Sequence, residues 1–219
     1  MKEIREIREG MIGHKIIKVV IFVLPMLGLQ IQASNVFINS EKMDTVTLGA
    51  GCFWCVEAVF QDLIGVESVA SGFSGGNIIN PSYREVVNGM TEHAEACQLV
   101  YNPDIISFRE LMEVFFVTHD PTTLNRQGND VGTQYRSVIF YHSDEQRRQA
   151  NEFIEELNNA KVYDVPIVTE LSPYKNFFIA DNYHQDFFNL NGEQPYCSFI
   201  IQPKVEKVKK YFGDKLKKK

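Results

Sequence analysis

Cys52 stands at a predicted junction between a strand and a helix, which is a position where a cysteine can act as a nucleophile. Residues 45–49 alternate as in a strand, and apolar side chains recur at helical spacing over residues 56–63. The unpaired N–H groups and the dipole at a helix start favour a thiolate. We therefore predict that Cys52 is a nucleophile, with Phe53 and Trp54 forming an aromatic wall beside its sulfur.

Three polar clusters could supply acids and hydrogen-bond donors to such a thiolate. They occupy residues 80–83, 93–96 and 129–137 and contain tyrosine, glutamate and aspartate side chains. Taken singly, each cluster is a weak signal, because an isolated tyrosine usually lies in a core and an isolated glutamate is usually solvated. Their roles remain hypotheses on residue type alone.

Strands alternate with helices along the body of the chain, which predicts a mixed sheet covered by helices. The apolar patterns place five strands at residues 45–49, 66–73, 97–101, 134–141 and 165–171. They place further helices at residues 81–87, 108–117 and 144–160.

The distribution of charge excludes a nucleic-acid-binding function. Residues 34–203 carry nine Lys and Arg against 23 Asp and Glu, whereas a nucleic-acid groove needs clustered basic side chains. Residues 204–219 carry eight basic side chains against two acidic ones. We expect this segment to be a basic C-terminal tail, helical as far as Tyr211 and solvated.

The N-terminal residues 1–33 have the pattern of a signal peptide. Lys15 and Lys18 precede an apolar stretch at residues 19–29, which is too short to span a bilayer. We expect cleavage after Ala33, a linker over residues 34–44, and export to a periplasmic or other extracytoplasmic location. The alternative is a membrane anchor formed by an uncleaved N-terminus.

Short motifs along residues 45–203 resemble one known family. In chain order they are Gly51-Cys52-Phe53-Trp54, Gly75-Gly76, Asn80-Pro81-Ser82-Tyr83, His93-Ala94-Glu95, Asn129 to Ser137, Tyr183-His184-Gln185 and Gln194-Pro195-Tyr196-Cys197. Their order and spacing resemble the peptide-methionine (S)-S-oxide reductases, the class A methionine sulfoxide reductases. The resemblance implies an α+β two-layer sandwich with a ferredoxin-like core. It also implies repair of oxidised proteins by reduction of the S epimer of methionine sulfoxide, free or in proteins.

The same resemblance implies a role for each site residue. It makes Cys52 the nucleophile that becomes a sulfenic acid, and Phe53 and Trp54 the pocket for the substrate methyl group. The donors around the sulfoxide oxygen are then Tyr83, Glu95 and Tyr135, and the supporting carboxylate is Asp130. Buried Glu95, with a raised pKa, would protonate the leaving oxygen, and we expect Glu95→Gln to slow reduction most at higher pH.

One position departs from the usual family pattern, because Cys55 follows Trp54 where glycine is common. It creates a Cys52-x-x-Cys55 pair, so we favour Cys55 as the resolving cysteine over the alternative, Cys197. Cys97, in an apolar strand, is expected to be inert. Residues from Lys204 onward replace the family's glycine-rich, cysteine-bearing tail.

The resemblance also implies the partners. We expect recycling by thioredoxin or a thioredoxin-like reductant, no metal or organic cofactor, no nucleic acid, and a monomer. Two alternatives remain open on the residues alone. A Cys-x-x-Cys pair after a strand is also typical of thioredoxin-type oxidoreductases, and Cys52, Cys55, His93 and Cys97 imitate the spacing of zinc ligands.

Overall fold

The computed structural model describes residues 42–218. The predicted signal peptide, and the predicted linker up to residue 41, lie outside the described residues. Within residues 42–218, no helix is both long enough and apolar enough to cross a membrane.

A mixed sheet forms the centre of the fold. Its strands are β1 (Asp44–Ala50), β2 (Val66–Ser74), β3 (Ala94–Tyr101), β6 (Ser137–Tyr141), β7 (Glu170–Pro173) and β8 (Phe177–Ile179). They lie in the order β7-β6-β1-β3-β2-β8, and neighbouring strands are antiparallel except β6 and β7, which are parallel. A separate hairpin pairs β4 (Arg126–Gln127) with β5 (Asp130–Val131).

The helices connect these strands in a ferredoxin-like arrangement. They are α1 (Phe53–Phe60), α2 (Tyr83–Val87), α3 (Phe108–Thr118), α4 (Asp144–Asn159), α5 (Phe187–Leu190) and α6 (Gln202–Phe212). The series β1-α1-β2-β3-α3-β6, with its strands ordered β6-β1-β3-β2, is the split βαβ pattern of that fold. The predicted α+β fold class is confirmed.

The main hydrophobic core lies between the sheet and the helices. Along β3, Leu99 and Tyr101 point into this core, whereas Ala94 and Ala96 belong to a smaller cluster. This alternation is the period of two that a strand imposes on its side chains. Fully buried aromatic rings such as Phe115 from α3 fill the helical side.

Capping residues fix where two of the helices begin. The Ser82 side chain accepts a hydrogen bond from the Glu85 N–H while the Glu85 carboxylate accepts from the Ser82 N–H, which is a capping box. The predicted helix at residues 81–87 therefore starts at Tyr83. Ser107 and Glu110 make the same pair at the start of α3.

Two predicted strands are shorter than expected. Residues 133–135 form a 3-10 turn, so the strand predicted from residue 134 begins only at Ser137. The strand predicted over residues 165–171 starts at Glu170 and ends at Pro173. Pro166 cannot donate to a ladder, and the Val168 N–H bonds instead to the Pro121 carbonyl at 2.8 Å.

The Lys-rich segment after Pro203 forms α6, and the predicted helix is confirmed. Its apolar side packs on the core through Val208 and Phe212 rather than lying free in solvent. Leu216 continues the packing by forming a backbone bridge with Leu63. The C-terminal segment is thus built into the domain.

We expect Phe212→Ala to lower the free energy of unfolding by about 3–5 kcal/mol, because it removes a buried ring and leaves a cavity. The matched control is Lys210→Gln, an exposed change on the same helix, which should alter stability by less than about 0.5 kcal/mol. Urea unfolding of the full chain measures both. Equal stability of the two variants would show that α6 does not support the core.

Candidate active site

A tight turn at Gly51 carries the chain from β1 into α1. Gly51 has φ +87°, and a Cβ at this position would lie 2.6 Å from Cβ of Gln127, so glycine is required on both counts. Cys52 follows as the N-cap of α1, and its carbonyl accepts from the Cys55 N–H at 3.0 Å. The predicted strand-to-helix junction at Cys52 is confirmed.

Glu95 reaches the same helix start from β3. Its side chain is 1% exposed, and its Oε2 accepts a hydrogen bond from the Phe53 N–H at 3.1 Å. Burial raises the pKa of Glu95 to about 8, although the Phe53 hydrogen bond acts in the opposite direction. Glu95 is therefore a protonated carboxylic acid at neutral pH, as its predicted role requires.

Two tyrosine hydroxyls interact electrostatically with Glu95. Tyr83 is the first residue of α2, and Tyr135 lies in the 3-10 turn at residues 133–135. Burial raises the pKa of both phenols, and the charges of Glu95 and Cys52 raise them further. The structure thus brings the four groups together and keeps both hydroxyls available as donors.

The pKa values of the two thiols in the Cys52-x-x-Cys55 pair differ from expectation. Cys52 is 7% exposed, and burial raises its pKa well above the usual value, with further contributions from the Cys55 hydrogen bond and the Glu95 charge. The Cys55 pKa is lowered to about 7, first by its hydrogen bond with Cys52 and also by the charge of Lys204. The prediction that the helix start favours a thiolate on Cys52 is therefore wrong for the substrate-free enzyme, because desolvation outweighs the helix terminus.

An aromatic wall flanks Cys52, as the sequence predicts, but it contains a ring that sequence reasoning missed. Phe53 and Trp54 lie side by side with ring centroids 6.0 Å apart. Trp54 stacks on Phe187 at 3.7 Å and 7°. Phe187 is held there because the buried Glu57 carboxylate accepts the N–H groups of Asp186 and Phe187, at 2.9 and 3.3 Å.

Tyr196 is a second residue that sequence reasoning left without a role. Its hydroxyl donates to Oδ2 of Asp130 at 2.9 Å, and it also hydrogen-bonds the thiols of Cys52 and Cys55. Asp130, predicted as a supporting residue, thus acts on the site through Tyr196. The signal was present in the motif before Cys197, but a contact between residues so distant in sequence is visible only in the fold.

The remaining cysteines lie at different depths of the same region. Cys197 is fully buried at the start of a π-helix, Cys197–Ile201, and burial followed by the Cys55 charge raises its pKa. Cys97 lies in β3, and its thiol donates to the Phe53 carbonyl at 3.4 Å. All four cysteines are free thiols in this structure.

The zinc alternative fails on the geometry of His93. Its Nδ1 accepts from the Gly76 N–H at 3.0 Å, and its Nε2 lies 2.8 Å from the Ile78 carbonyl oxygen. Both nitrogens are therefore committed to the backbone of one loop. In the part of the chain that the structure describes, no group of three or more His, Cys, Asp or Glu side chains is placed to hold a metal ion.

The family model for peptide methionine sulfoxide reductase matches residues 44–216. A curated relative, peptide methionine sulfoxide reductase MsrA of Trichodesmium erythraeum, is 52% identical over 174 residues, which cover 80% of this chain and 98% of the relative.

Solved structures agree with this match. Reduced Mxr1 from Saccharomyces cerevisiae superposes with a TM-score of 0.67 at 36% identity, covering 73% of this chain and 91% of the yeast chain. Methionine sulfoxide reductase A of Corynebacterium diphtheriae gives 0.62 at 34% identity, covering 69% and 76%. The chain therefore belongs to the peptide methionine sulfoxide reductase family, and it is an enzyme that reduces methionine sulfoxide to methionine.

Proposed function

We propose that the enzyme reduces the S epimer of methionine sulfoxide by attack of Cys52 on the sulfoxide sulfur while Glu95 protonates the oxygen. The observation that carries this proposal is the placement of both groups at one helix start, with the Glu95 carboxyl bonded to the amide next to Cys52. The sulfoxide oxygen is a poor leaving group unless it is protonated, and a carboxyl with a pKa of about 8 holds a proton at neutral pH.

The buried dithiol can supply the nucleophile despite the raised pKa of Cys52. The two thiols are hydrogen-bonded to each other, so they titrate as one unit and share a proton. Transfer of the Cys52 proton to the Cys55 sulfur leaves the negative charge on Cys52. A protonated Glu95 adds no repulsion to the Cys52 thiolate.

The neighbouring rings suit the rest of the substrate. Phe53 and Trp54 offer an apolar surface to the methyl group, and the hydroxyls of Tyr83 and Tyr135 can donate to the sulfoxide oxygen. A groove lined by residues 80–83 and 178–181 leads to Tyr83. This groove supports access by oxidised protein side chains as well as by the free amino acid.

The sulfoxide oxygen takes protons from Glu95 and solvent and leaves as water while the Cys52 sulfur bonds to the substrate sulfur. Water then cleaves this S–S bond at the Cys52 sulfur, giving methionine and a sulfenic acid on Cys52. We favour Cys55 as the residue that condenses with it, because Cys55 is hydrogen-bonded to Cys52 already in the reduced enzyme. Cys197 is the alternative, either directly or through a relay in which Cys55 passes the disulfide on. Its electrostatic contact with Cys55 is compatible with such a relay.

Recycling requires a dithiol reductant, for which we propose thioredoxin or a thioredoxin-like protein. Cys52 is 7% exposed and Cys55 is 2% exposed, so Cys52 is the more accessible sulfur of the pair. Attack on Cys52 would release Cys55 as a thiolate, which the charge of Lys204 stabilises.

We expect Glu95→Gln to slow methionine formation in a single turnover about 10²- to 10⁴-fold below pH 8, because the amide cannot deliver a proton. The acid form of wild-type Glu95 is present below its pKa of about 8 and is lost above it, so the difference should narrow at higher pH. This direction is the opposite of the one expected from sequence, because the acid form of Glu95 is lost as the pH rises above its pKa. Glu67→Gln removes an exposed carboxylate and serves as the control. Equal pH profiles for Glu95→Gln and wild-type would assign the proton to another group.

The cysteine roles are separated by single-turnover and cycling assays on each sulfoxide epimer. We expect Cys52→Ser to produce no methionine from either epimer, since a hydroxyl is a much weaker nucleophile than a thiolate. Cys55→Ala should produce one equivalent from the S epimer but lose thioredoxin-supported cycling, whereas Cys197→Ala should keep most of it. Mass mapping of the wild-type after one turnover should find a Cys52–Cys55 disulfide. A Cys52–Cys197 disulfide together with full cycling by Cys55→Ala would refute the assignment.

We also propose that the protein is exported, on the pattern of basic residues and an apolar stretch within residues 1–33. A fusion of residues 1–40 to a reporter that is active only outside the cytoplasm should give signal. Leu24→Arg in the same fusion should abolish it by interrupting the apolar stretch. The mature N-terminus of the full chain should lie near Ser34. An intact N-terminus in the cytosol contradicts export, and an intact N-terminus in the membrane supports the anchor.

A further inference from the structure

A small pocket beneath the active site places a lysine beside the sulfur of Cys55. The pocket lies between α1, α3 and α6, and its lining includes Cys55, Thr118, His119 and Lys204. Lys204 stands in the first turn of α6, the helix built by the basic C-terminal segment. The same segment therefore brings a cation to the pocket that Cys55 lines.

The other polar groups of this pocket already have partners. The Thr118 hydroxyl donates to the Val114 carbonyl at 2.8 Å, and the His119 ring bonds the Phe115 carbonyl and the Ser137 hydroxyl at 2.7 and 2.8 Å. Burial first, and the charge of Lys204 in addition, lower the pKa of His119 to about 3, so this ring is neutral.

Lys204 itself is not neutralised locally. Along α6, Glu206 pairs with Lys209, and none of the carboxylates in residues 42–218 forms an ion pair with Lys204. The ionisable groups that interact with Cys55 include Cys52, Lys204, Tyr196, Asp130, Glu95 and Cys197. Of these, only Lys204 carries a positive charge that can attract a Cys55 thiolate.

We propose that Lys204 is a positioning residue for the resolving step, where its ammonium holds the negative charge on Cys55 while Cys55 attacks the sulfenic acid of Cys52. This inference rests on the proposed role of Cys55 as the resolving cysteine. The Cys55 sulfur forms the S–S bond, the S–O bond of Cys52 breaks, and the hydroxide leaves as water after taking the proton of a carboxylic acid or of solvent. The Cys52 sulfur is reduced as Cys55 is oxidised, so no external oxidant is needed.

The reaction sequence explains why a lysine matters at this step. In the reduced enzyme, the largest effect lowering the Cys55 pKa is its hydrogen bond with the Cys52 thiol. Once Cys52 has become a sulfenic acid, its S–H group no longer exists. Lys204 still lies beside Cys55 at that point, so its charge then becomes the principal stabilisation of the attacking thiolate.

The test follows disulfide formation after a single turnover, by acid quench and mass mapping across a pH range. Lys204→Gln should slow formation of the Cys52–Cys55 bond up to about tenfold below the wild-type pKa of Cys55, the change in thiolate fraction that one pKa unit produces. The effect should vanish at high pH, where Cys55 is deprotonated in both proteins. Lys204→Arg should restore the wild-type profile, and Lys210→Gln, an equal charge change on the exposed side of α6, should leave it unchanged.

The outcomes separate this inference from the function on which it rests. A Cys52–Cys55 bond that forms with the same pH profile in Lys204→Gln and wild-type overturns the role of Lys204 and leaves that of Cys55 intact. A uniform slowing at every pH, which Lys204→Arg does not rescue, means a structural role and also overturns it. A Cys52–Cys197 bond in the wild-type overturns both.

Discussion

The hydrogen bond from the Phe53 N–H to the Glu95 carboxyl is the interaction on which the site depends. It ties the first turn of α1 to β3 and so fixes the nucleophile and the acid relative to each other. It also occupies the first N–H group of α1, which hydrogen-bonds the Glu95 carboxyl rather than the Cys52 thiol. Burial, acting against this hydrogen bond, keeps the acid protonated at neutral pH, and burial also raises the pKa of the neighbouring Cys52 thiol.

The C-terminal segment supplies two further polar side chains that act on the thiols. Tyr196 donates to Asp130 and interacts with both thiols, and Lys204 lines the same pocket as Cys55. Because α6 is anchored in the core through Phe212, Lys204 sits on a packed helix and not on a tail free in solvent.

The local signals were strong enough to locate the centre of the chemistry from sequence. A strand followed by Gly51 and a helical apolar pattern placed Cys52 correctly, and apolar periods gave most of the elements. The preference for a thiolate on Cys52 failed because it came from the helix terminus alone, whereas desolvation depends on everything packed around the sulfur. Phe187 and Lys204 escaped notice for the same reason: their partners are more than 100 residues away along the chain.

Trp54 is the single tryptophan of the whole sequence, and it lies within the wall of the active site. All of the protein's indole fluorescence therefore originates two residues from the reacting sulfur. Its ring stacks on Phe187 and meets the edge of Tyr196, the same tyrosine that hydrogen-bonds both thiols. The indole emission of this enzyme is therefore a signal that originates beside the cysteine pair, without any added label.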